Sequence, residues 1–337
     1  MFYYYAYGLK IESDIPLPVL VSGCCDRVHS AKVPVDVFVN LKSGSCGHTE
    51  PPGNKDVFWN IARENAVLMI KGLGTFYIQH GKEITIHPAS RLDEKMIQII
   101  VINSLLAIVL YQRKTLVLHA SAVRIGNAAA AFLGTSGAGK SIMAGALCAR
   151  GHALVAEDVV ALEFSPSLPR VHPGYPMIKM KPHESAMLGF PDQSIRLLHE
   201  KEKRYACSVL DGFVTSPCPL SHIFVLSKGE DRLIQRITAK EAFLELICNS
   251  PPAIWDVCPD PLQFSRVGEL VKKVPISRII RENCVAAIPE HARMIEEYLY
   301  EMEPVQERHS DFTGFDTYDV EPDQCQREVP ALLQEMA

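Results

Sequence analysis

The stretch Ala128-Ala-Ala-Ala-Phe-Leu-Gly134-Thr-Ser-Gly-Ala-Gly-Lys140-Ser141 is an apolar run followed by a glycine-rich turn. Its second half, from Gly134 to Ser141, fits the full pattern G-x-x-x-x-G-K-[ST] of a phosphate-binding loop. The apolar run predicts a strand, and Lys140–Arg150 predicts a helix that ends at Gly151. Strand, loop and helix in this order are the context that the pattern requires. The stretch therefore predicts a phosphate-binding site in a mixed α/β domain.

The residue types of the loop suit the phosphates of a nucleotide. Glycines let the backbone turn with its N–H groups inward at a helix N-terminus, which forms a nest for β- and γ-phosphate oxygens. The Lys140 ammonium adds positive charge, and the Ser141 hydroxyl is an oxygen ligand for Mg²⁺. The candidate nucleotide-binding residues are Gly134, Thr135, Ser136, Gly137, Ala138, Gly139, Lys140 and Ser141.

Two adjacent acids, Glu157 and Asp158, follow the predicted helix after one short apolar run, Ala153–Ala156. Only 17 residues separate Ser141 from Asp158. This is room for one helix and one strand, so we expect the acids to return beside the loop. One carboxylate would bind the metal while the other orients or deprotonates an attacking hydroxyl. The alternative interpretation is a solvated acidic pair at the end of a strand.

Other polar residues carry weaker signals. His119 lies in the apolar run Thr115–Val123, where a single histidine is generally a hydrogen-bonded core residue. Lys203 and Arg204 form a basic pair that is typical of a solvated surface, although one of them would also suit an arginine finger that closes over the γ-phosphate. The solvated interpretation is favoured still more for Lys179 and Lys181.

Patterning divides the chain into three segments. Residues 1–92 show short alternating runs separated by turn residues, which predicts a small antiparallel β domain. Residues 93–300 mix helical and strand patterns, including a hairpin formed by His222–Leu226 and Arg232–Ile237. Thr238-Ala-Lys-Glu241 predicts a capping box that begins the helix through Cys248. The apolar run Met96–Tyr111 is shorter than the about 20 residues of a membrane span and predicts a buried helix between the two halves. Residues 301–337 hold ten acidic and two basic side chains and predict a mobile tail.

Composition excludes collagen-like, low-complexity and fully disordered proteins, since 47% of the 337 residues are hydrophobic and 22% are charged. The net charge of -5 hides an asymmetry: residues 1–300 hold 29 acidic and 32 basic side chains. This body suits anionic ligands, and we expect neither nucleic acid nor a membrane as the main partner. Ten cysteines without a C-x2-C pair, and a start that lacks a signal-peptide pattern, predict reduced thiols and a cytoplasmic protein. The sequence is compatible with a homo-oligomer as well as with a monomer.

Four segments in order carry a resemblance to a known family: Leu118-His119-Ala-Ser-Ala-Val123, Gly134–Ser141, Arg150-Gly-His152 and Leu154-Val-Ala-Glu157-Asp158. Together they resemble the catalytic domain of HPr kinase/phosphorylase and its smaller relatives. The segments Tyr5-Ala-Tyr-Gly-Leu9 and Pro173-Gly-Tyr-Pro176 look like the subgroup that occurs with lasso-peptide biosynthesis, whose members phosphorylate a serine of the precursor peptide.

The resemblance implies a fold, cofactors and residue roles. It implies an HPr-kinase/PEP-carboxykinase-like P-loop domain, distinct from the usual P-loop NTPase sheet, that uses ATP and Mg²⁺. Lys140 would bind the transferred phosphoryl group, Ser141 and Asp158 would bind the metal, and His119 would lie beside the acids. The first acid of the pair would be the general base. This chain has Glu157 where the family has an aspartate, and Ile142 where HPr kinases often have glutamate.

The sequence therefore predicts an ATP-dependent serine kinase that acts on a peptide, with the C-terminal serine of a lasso-peptide precursor as the first candidate. Three alternatives remain at this point: a kinase for a small hydroxyl compound such as free serine, a bifunctional HPr kinase/phosphorylase, and an ATP-sensing module without catalysis.

Overall fold

The structure, a computed structural model, describes residues 1–22, 34–42, 50–53, 55–89, 93–200, 204–251, 257, 260–282 and 284–302. Lys203 and the acidic tail beyond Met302 lie outside the described residues, so the predictions made for them stay predictions. The fold is mixed α/β with an N-terminal β region, as the sequence predicts.

An eight-stranded sheet occupies the N-terminal part of the chain. Its strands are β1 Phe2–Ala6, β2 Leu9–Ser13, β3 Val21–Ser22, β4 Val37–Leu41, β5 Val57–Ile61, β6 Asn65–Ile70, β7 Gly74–Gln79 and β8 Glu83–Pro88. The spatial order is β3-β1-β2-β4-β8-β7-β6-β5. The predicted antiparallel arrangement is wrong for two neighbour pairs, β2–β4 and β4–β8, which are parallel. The alternation of buried and exposed side chains along a strand is the same in parallel and antiparallel sheets, so it does not distinguish them. No hairpin joins β4 to β2 or to β8.

A continuous helical segment, Glu94–Gln112, follows this sheet. It consists of α1 Glu94–Ile100, a π-helical turn Val101–Leu105 and α2 Leu106–Gln112. Its length and apolar composition would suit a membrane span, but 83% of the most apolar window is buried inside the protein. It packs in one core with strands of the N-terminal sheet and with Val117, Val159 and Met177 from the next region. The prediction of a buried helix between two halves is confirmed.

The remaining strands form two further sheets. They are β9 Leu116–Leu118, β10 Ser121–Ile125, β11 Ala128–Leu133, β12 Ala153–Ala156, β13 Val160–Glu163, β14 Arg170–Val171, β15 Met177–Lys179, β16 Ile195–His199, β17 Arg204–Ser208, β18 Cys218–Lys228, β19 Leu233–Arg236 and β20 Ile276–Arg281. The larger one, called the central sheet below, has the order β12-β10-β11-β18-β14-β13-β9, with β20 beside β18 and β19 beside β20. The small sheet has the order β15-β17-β16.

The predicted hairpin between His222–Leu226 and Arg232–Ile237 is wrong. Both segments are strands, β18 and β19, but β20 lies between them, parallel to β18 and antiparallel to β19. A strand that arrives about 40 residues later in the chain thus takes the position beside β18.

Five more helices complete the described fold: α3 Lys140–Ala149, α4 Pro182–Met187, α5 Ala239–Cys248, α6 Pro261–Lys273 and α7 Ile288–Met302. The predicted capping box at Thr238 is present, because its hydroxyl accepts from the Glu241 N–H and the Glu241 carboxylate accepts from the Thr238 N–H. Two apolar cores flank the central sheet, one of them beneath α3 and α7 and the other beneath α5 and α6.

Candidate active site

Strand directions bring the predicted site residues to one edge of the central sheet. β11 runs parallel to β18, which is parallel to β20, and β10 is antiparallel to both β11 and β12. The ends of β11, β12 and β20 therefore meet at the same edge as the start of β10. The glycine-rich loop follows β11, and the acid pair follows β12. The sheet is mixed rather than all-parallel, in keeping with the departure from the usual P-loop NTPase sheet that the family resemblance implies.

The loop has the backbone that its glycines predict. Gly134, Gly137 and Gly139 have φ of 149°, 70° and 93°, which residues with a Cβ adopt only with strain. A Cβ at Gly134 would also lie 3.0 Å from the Leu226 carbonyl oxygen of β18. The Lys140 ammonium is buried and donates to the Gly134 carbonyl, with 2.8 Å between Nζ and the oxygen. The amine thus lies inside the loop, where it would meet a phosphate.

Glu157 is completely buried at the end of β12. Within the described chain, neither of its carboxylate oxygens has a partner in hydrogen-bonding geometry. Burial and the adjacent Asp158 charge raise the pKa of Glu157 to about 7, although the nearby hydroxyls of Ser121 and Ser141 act in the opposite direction. Because Ser141 is the last residue of the phosphate-binding loop, its interaction with Glu157 shows that this carboxyl group lies beside the loop.

Asp158 sits at a strained turn. Its φ is 60°, and the Val159 N–H donates to the Glu157 carbonyl at 2.7 Å, which closes a γ-turn centred on Asp158. The Asp158 carboxylate pairs with the Lys179 ammonium at the end of β15. Burial alone would raise the pKa of Asp158, but the charge and the hydrogen bond of Lys179 lower it below its ordinary value. Asp158 is therefore ionised at neutral pH. Strain of this kind is typical of functional sites.

His119 lies between β9 and β10, and its Nδ1 is 3.0 Å from the Asp158 carbonyl oxygen. A carbonyl only accepts, so Nδ1 carries the proton and Nε2 is left as an acceptor. Burial and the Lys140 charge lower the pKa of His119 to about 4. At neutral pH this histidine is thus a neutral ring that holds the γ-turn of the acid pair. The structure brings His119, Lys140, Ser141, Glu157 and Asp158 together.

Arg281 is a site residue that sequence reasoning missed. It ends β20, is only 3% exposed, and donates through Nη2 to the Ala138 carbonyl of the loop. A side chain at Gly139 would collide with its guanidinium. Arg281 Nε has no partner among the residues that the structure describes. No motif surrounds Arg281 in the sequence, and only the position of β20 reveals it.

Two tyrosines also approach the acid pair. Tyr7, at φ 54° in the turn between β1 and β2, is buried, and its N–H donates to the Pro173 carbonyl. Burial and the charges of both acids raise the pKa of Tyr7 and of Tyr175 well above the ordinary value. The Tyr175 hydroxyl donates to Asn103 Oδ1 in the π-helical turn at 2.9 Å. The N-terminal sheet thus supplies part of the site wall.

The donor set fits Mg²⁺ in its usual protein setting. The described residues hold no cluster of three or more His, Cys, Asp or Glu side chains. Mg²⁺ commonly binds through one or two carboxylates together with waters and substrate phosphates. The ionised Asp158, the Ser141 hydroxyl and the unpartnered oxygens of Glu157 are oxygen donors of this kind.

The other predicted cations are placed only in part. Arg204 begins β17, but its side chain and the whole of Lys203 lie outside the described residues, so their role over the γ-phosphate stays a prediction. Lys179, for which a solvated position was favoured, instead pairs with buried Asp158.

Comparison with known proteins gives a likeness in structure but none in sequence families. No family model matches the chain, and no curated protein does. Among solved structures, an HPr(Ser) kinase/phosphatase from Coxiella burnetii matches with a TM-score of 0.32 and 16% identity, over 56% of this chain and 99% of that chain. Both values are low, so the residues themselves must carry any conclusion about function.

Proposed function

We propose that this protein is a P-loop kinase that transfers the γ-phosphoryl group of ATP to a serine hydroxyl of a peptide. The observation that carries the proposal is the buried Glu157 carboxyl group, which lies near the Ser141 hydroxyl of the loop and whose oxygens accept no hydrogen bond of good geometry in the described chain. A buried polar group without a partner costs free energy. Such a group is expected where a ligand completes its interactions.

The loop and Lys140 would bind the β- and γ-phosphates, since a glycine-rich turn of this kind presents backbone N–H groups to phosphate and the Lys140 ammonium lies inside it. Glu157 would accept the proton of the acceptor hydroxyl as the serine Oγ–P bond forms and the bond from phosphorus to the β-phosphate oxygen breaks. The products are phosphoserine and ADP. A base with a pKa of about 7 suits this step, because it is basic enough to take a proton and is still substantially deprotonated at neutral pH.

Ser141 and Asp158 would hold Mg²⁺, which, when bound, neutralises charge on the phosphates. Asp158 suits a cation because the Lys179 ammonium keeps it ionised. His119 would position the acid pair through its contact with the Asp158 carbonyl. Its low pKa argues against a role as proton donor at neutral pH.

The acceptor class comes from the sequence resemblance, which favours a peptide and, within that class, the C-terminal serine of a lasso-peptide precursor. The structure adds a buried, partly apolar surround to the acids, formed in part by Tyr7 and Tyr175. A peptide enzyme draws transition-state stabilisation from remote contacts, so free serine should be a poor acceptor.

Incubation of the protein with ATP, Mg²⁺ and a serine peptide tests the proposal, with phosphopeptide measured by mass spectrometry. We expect transfer by the wild type, none by Lys140→Ala, and none by Glu157→Gln with ATP binding retained. Lys240→Ala, at an exposed lysine of α5, is the matched control and should behave as the wild type.

Four results would overturn or modify the proposal. Full activity in Lys140→Ala would overturn it. ATP binding without transfer to any acceptor would favour a sensing module. Equal use of free serine and peptide would favour a small-molecule kinase, and phosphate-dependent loss of label from phosphopeptide would add a phosphorylase activity.

A further inference from the structure

A pocket of about 190 Å³ opens next to the acid pair. Three parts of the chain line it: Pro18 from the N-terminal region, Lys95 from α1, and the small sheet through Lys179, Arg196 and Leu197. Lys179 also pairs with Asp158, and Tyr175, whose pKa responds to both acids, lines the same pocket. The pocket and the catalytic carboxylates therefore share a wall.

The chemistry of the lining is uneven. Most of its residues are apolar, and Leu197 keeps 42% of its surface exposed. All its charged residues are cations, namely Lys95, Lys179 and Arg196. Lys179 is already paired, whereas Lys95 and Arg196 are exposed and form no ion pair within the described part of the chain. An apolar floor complements an apolar side chain, and two cations of this kind complement a neighbouring negative charge.

The size of the pocket limits its occupant. Clefts that enclose a whole small-molecule ligand generally measure about 300–1,000 Å³. At about 190 Å³, this pocket suits one large side chain rather than a nucleotide base with its sugar. A peptide acceptor would supply such a side chain while its serine lies at the acids.

We propose that this pocket binds the acceptor peptide beside its serine, taking one large apolar side chain on the floor and one acidic side chain against Lys95 and Arg196. This inference rests on the proposed kinase function and adds a sequence preference to it. Lys95 and Arg196 lie on different elements, α1 and β16, so the peptide would bridge the helical segment and the small sheet. Leu197 would contact the apolar side chain.

Synthetic peptides with blocked ends and a single serine test the preference. One series carries leucine next to the serine and glutamate, glutamine or lysine at each of several nearby positions; a second replaces the leucine by glycine. We expect glutamate peptides to exceed glutamine peptides in kcat/KM by about fivefold at low salt, because two exposed charge contacts are lost. Glycine in place of leucine should cost about tenfold.

The enzyme variant Lys95→Glu/Arg196→Glu reverses the charge at the pocket. We expect it to lose the preference for glutamate and to favour the lysine peptide. Lys240→Glu/Arg236→Glu is the matched control: Lys240, like Lys95, is the second residue of a helix, and Arg236, like Arg196, is an exposed arginine on a strand. The control should keep the wild-type preference. An unchanged preference in Lys95→Glu/Arg196→Glu would overturn the pocket assignment, as would a preference that appears only with a free terminal carboxylate.

A binding measurement separates this inference from the kinase proposal. Labelled peptides with alanine in place of serine are titrated with each protein, and the fluorescence anisotropy is followed. Charge-selective binding without phosphorylation of any serine peptide would overturn the kinase function and support the pocket. Phosphorylation that depends on Lys140 but ignores the pocket charges would support the function and overturn the pocket.

Discussion

The fully buried carboxyl group of Glu157 predicts a pH-dependent stability. Its pKa in the folded protein is about 7 against an ordinary value of 4.5, so the folded state binds the proton more tightly than the unfolded chain. The unfavourable contribution to folding therefore develops as the pH rises from about 4.5 to about 7 and stays constant above. Glu157→Gln should gain roughly 3 kcal/mol relative to the wild type across this window.

Urea unfolding of both proteins at pH 5 and pH 8, with a chelator present to exclude divalent cations, checks this expectation. Glu230→Gln, at an exposed position, should show the same pH dependence as the wild type. A stability difference between Glu157→Gln and the wild type that does not change with pH would contradict it.

Arg281 predicts a second effect at the scale of one side chain. Its guanidinium donates to the Ala138 carbonyl and so holds the loop. Arg281→Met removes a charged hydrogen bond while keeping much of the volume, and ATP affinity should fall about tenfold, in line with the value of such a bond. Arg278→Met, three residues earlier in β20 and paired with Glu245 of α5, should leave the affinity unchanged. Calorimetric titration with ATP measures the affinity of both variants. An Arg281→Met affinity equal to that of the wild type would contradict the role of Arg281.

Individual site residues were predictable where the signal is local. The loop glycines, Lys140 and Ser141 follow from spacing within one segment, and the structure gives the loop the expected backbone. Lys179 and Arg281 were not predictable, because their partners belong to elements far away in the chain. A lysine near a strand end carries no local mark that distinguishes a solvated ammonium from one paired with a buried acid.

The hairpin of β1 and β2 predicts an effect at the scale of an element. Gly8 has φ 77°, and a Cβ there would collide with the His172 ring, whereas Gly126, in the β10–β11 turn at φ 59°, has open space around it. Alanine at either position should cost about 1 kcal/mol of stability from backbone strain. Gly8→Ala should cost more, and it should slow phosphoryl transfer because Tyr7 is displaced from the acid pair.

Urea unfolding and a transfer assay on the two variants distinguish these effects. If Gly8→Ala matched Gly126→Ala in both measurements, the hairpin would have no part in the site.

Secondary-structure elements were predicted more accurately than the pairing of one element with another. The strand, loop and helix around Lys140, the buried helical segment and the capping box at Thr238 are all present. The pairing of β18 with β19 failed, since a hairpin prediction considers only neighbours in sequence, and β20 takes the place beside β18. The π-helical turn at Val101–Leu105 has no sequence mark either; its Asn103 bonds the buried Tyr175 hydroxyl.

The shared core predicts behaviour of the whole molecule. One apolar cluster contains Phe76 of the N-terminal sheet, residues of the helical segment, Val159 and Met177. Val159 directly follows the acid pair in the sequence, and Met177 lines the pocket. We therefore expect a single cooperative unfolding transition in calorimetry. Phe76→Ala, at a side chain with 0% exposure, should shift that whole transition downward, by roughly 3–5 kcal/mol in stability.

Two separate transitions, with only one of them moved by Phe76→Ala, would contradict the shared core. A sequence-based division at residue 92 marks where strand patterning stops. It does not show whether the two sides fold independently, because burial across a boundary depends on contacts that neither side displays alone.

The site wall is assembled from distant parts of the chain: Tyr7 belongs to the first hairpin and Arg281 to the last strand that the structure describes. Long-range contacts of this kind slow folding, because distant segments must meet before they stabilise each other. During synthesis the N-terminal sheet would leave the ribosome long before β20. The glycine-rich loop would then remain without its arginine until nearly the whole body has emerged, and, if the proposed kinase function holds, a partly made chain would have little capacity to consume ATP.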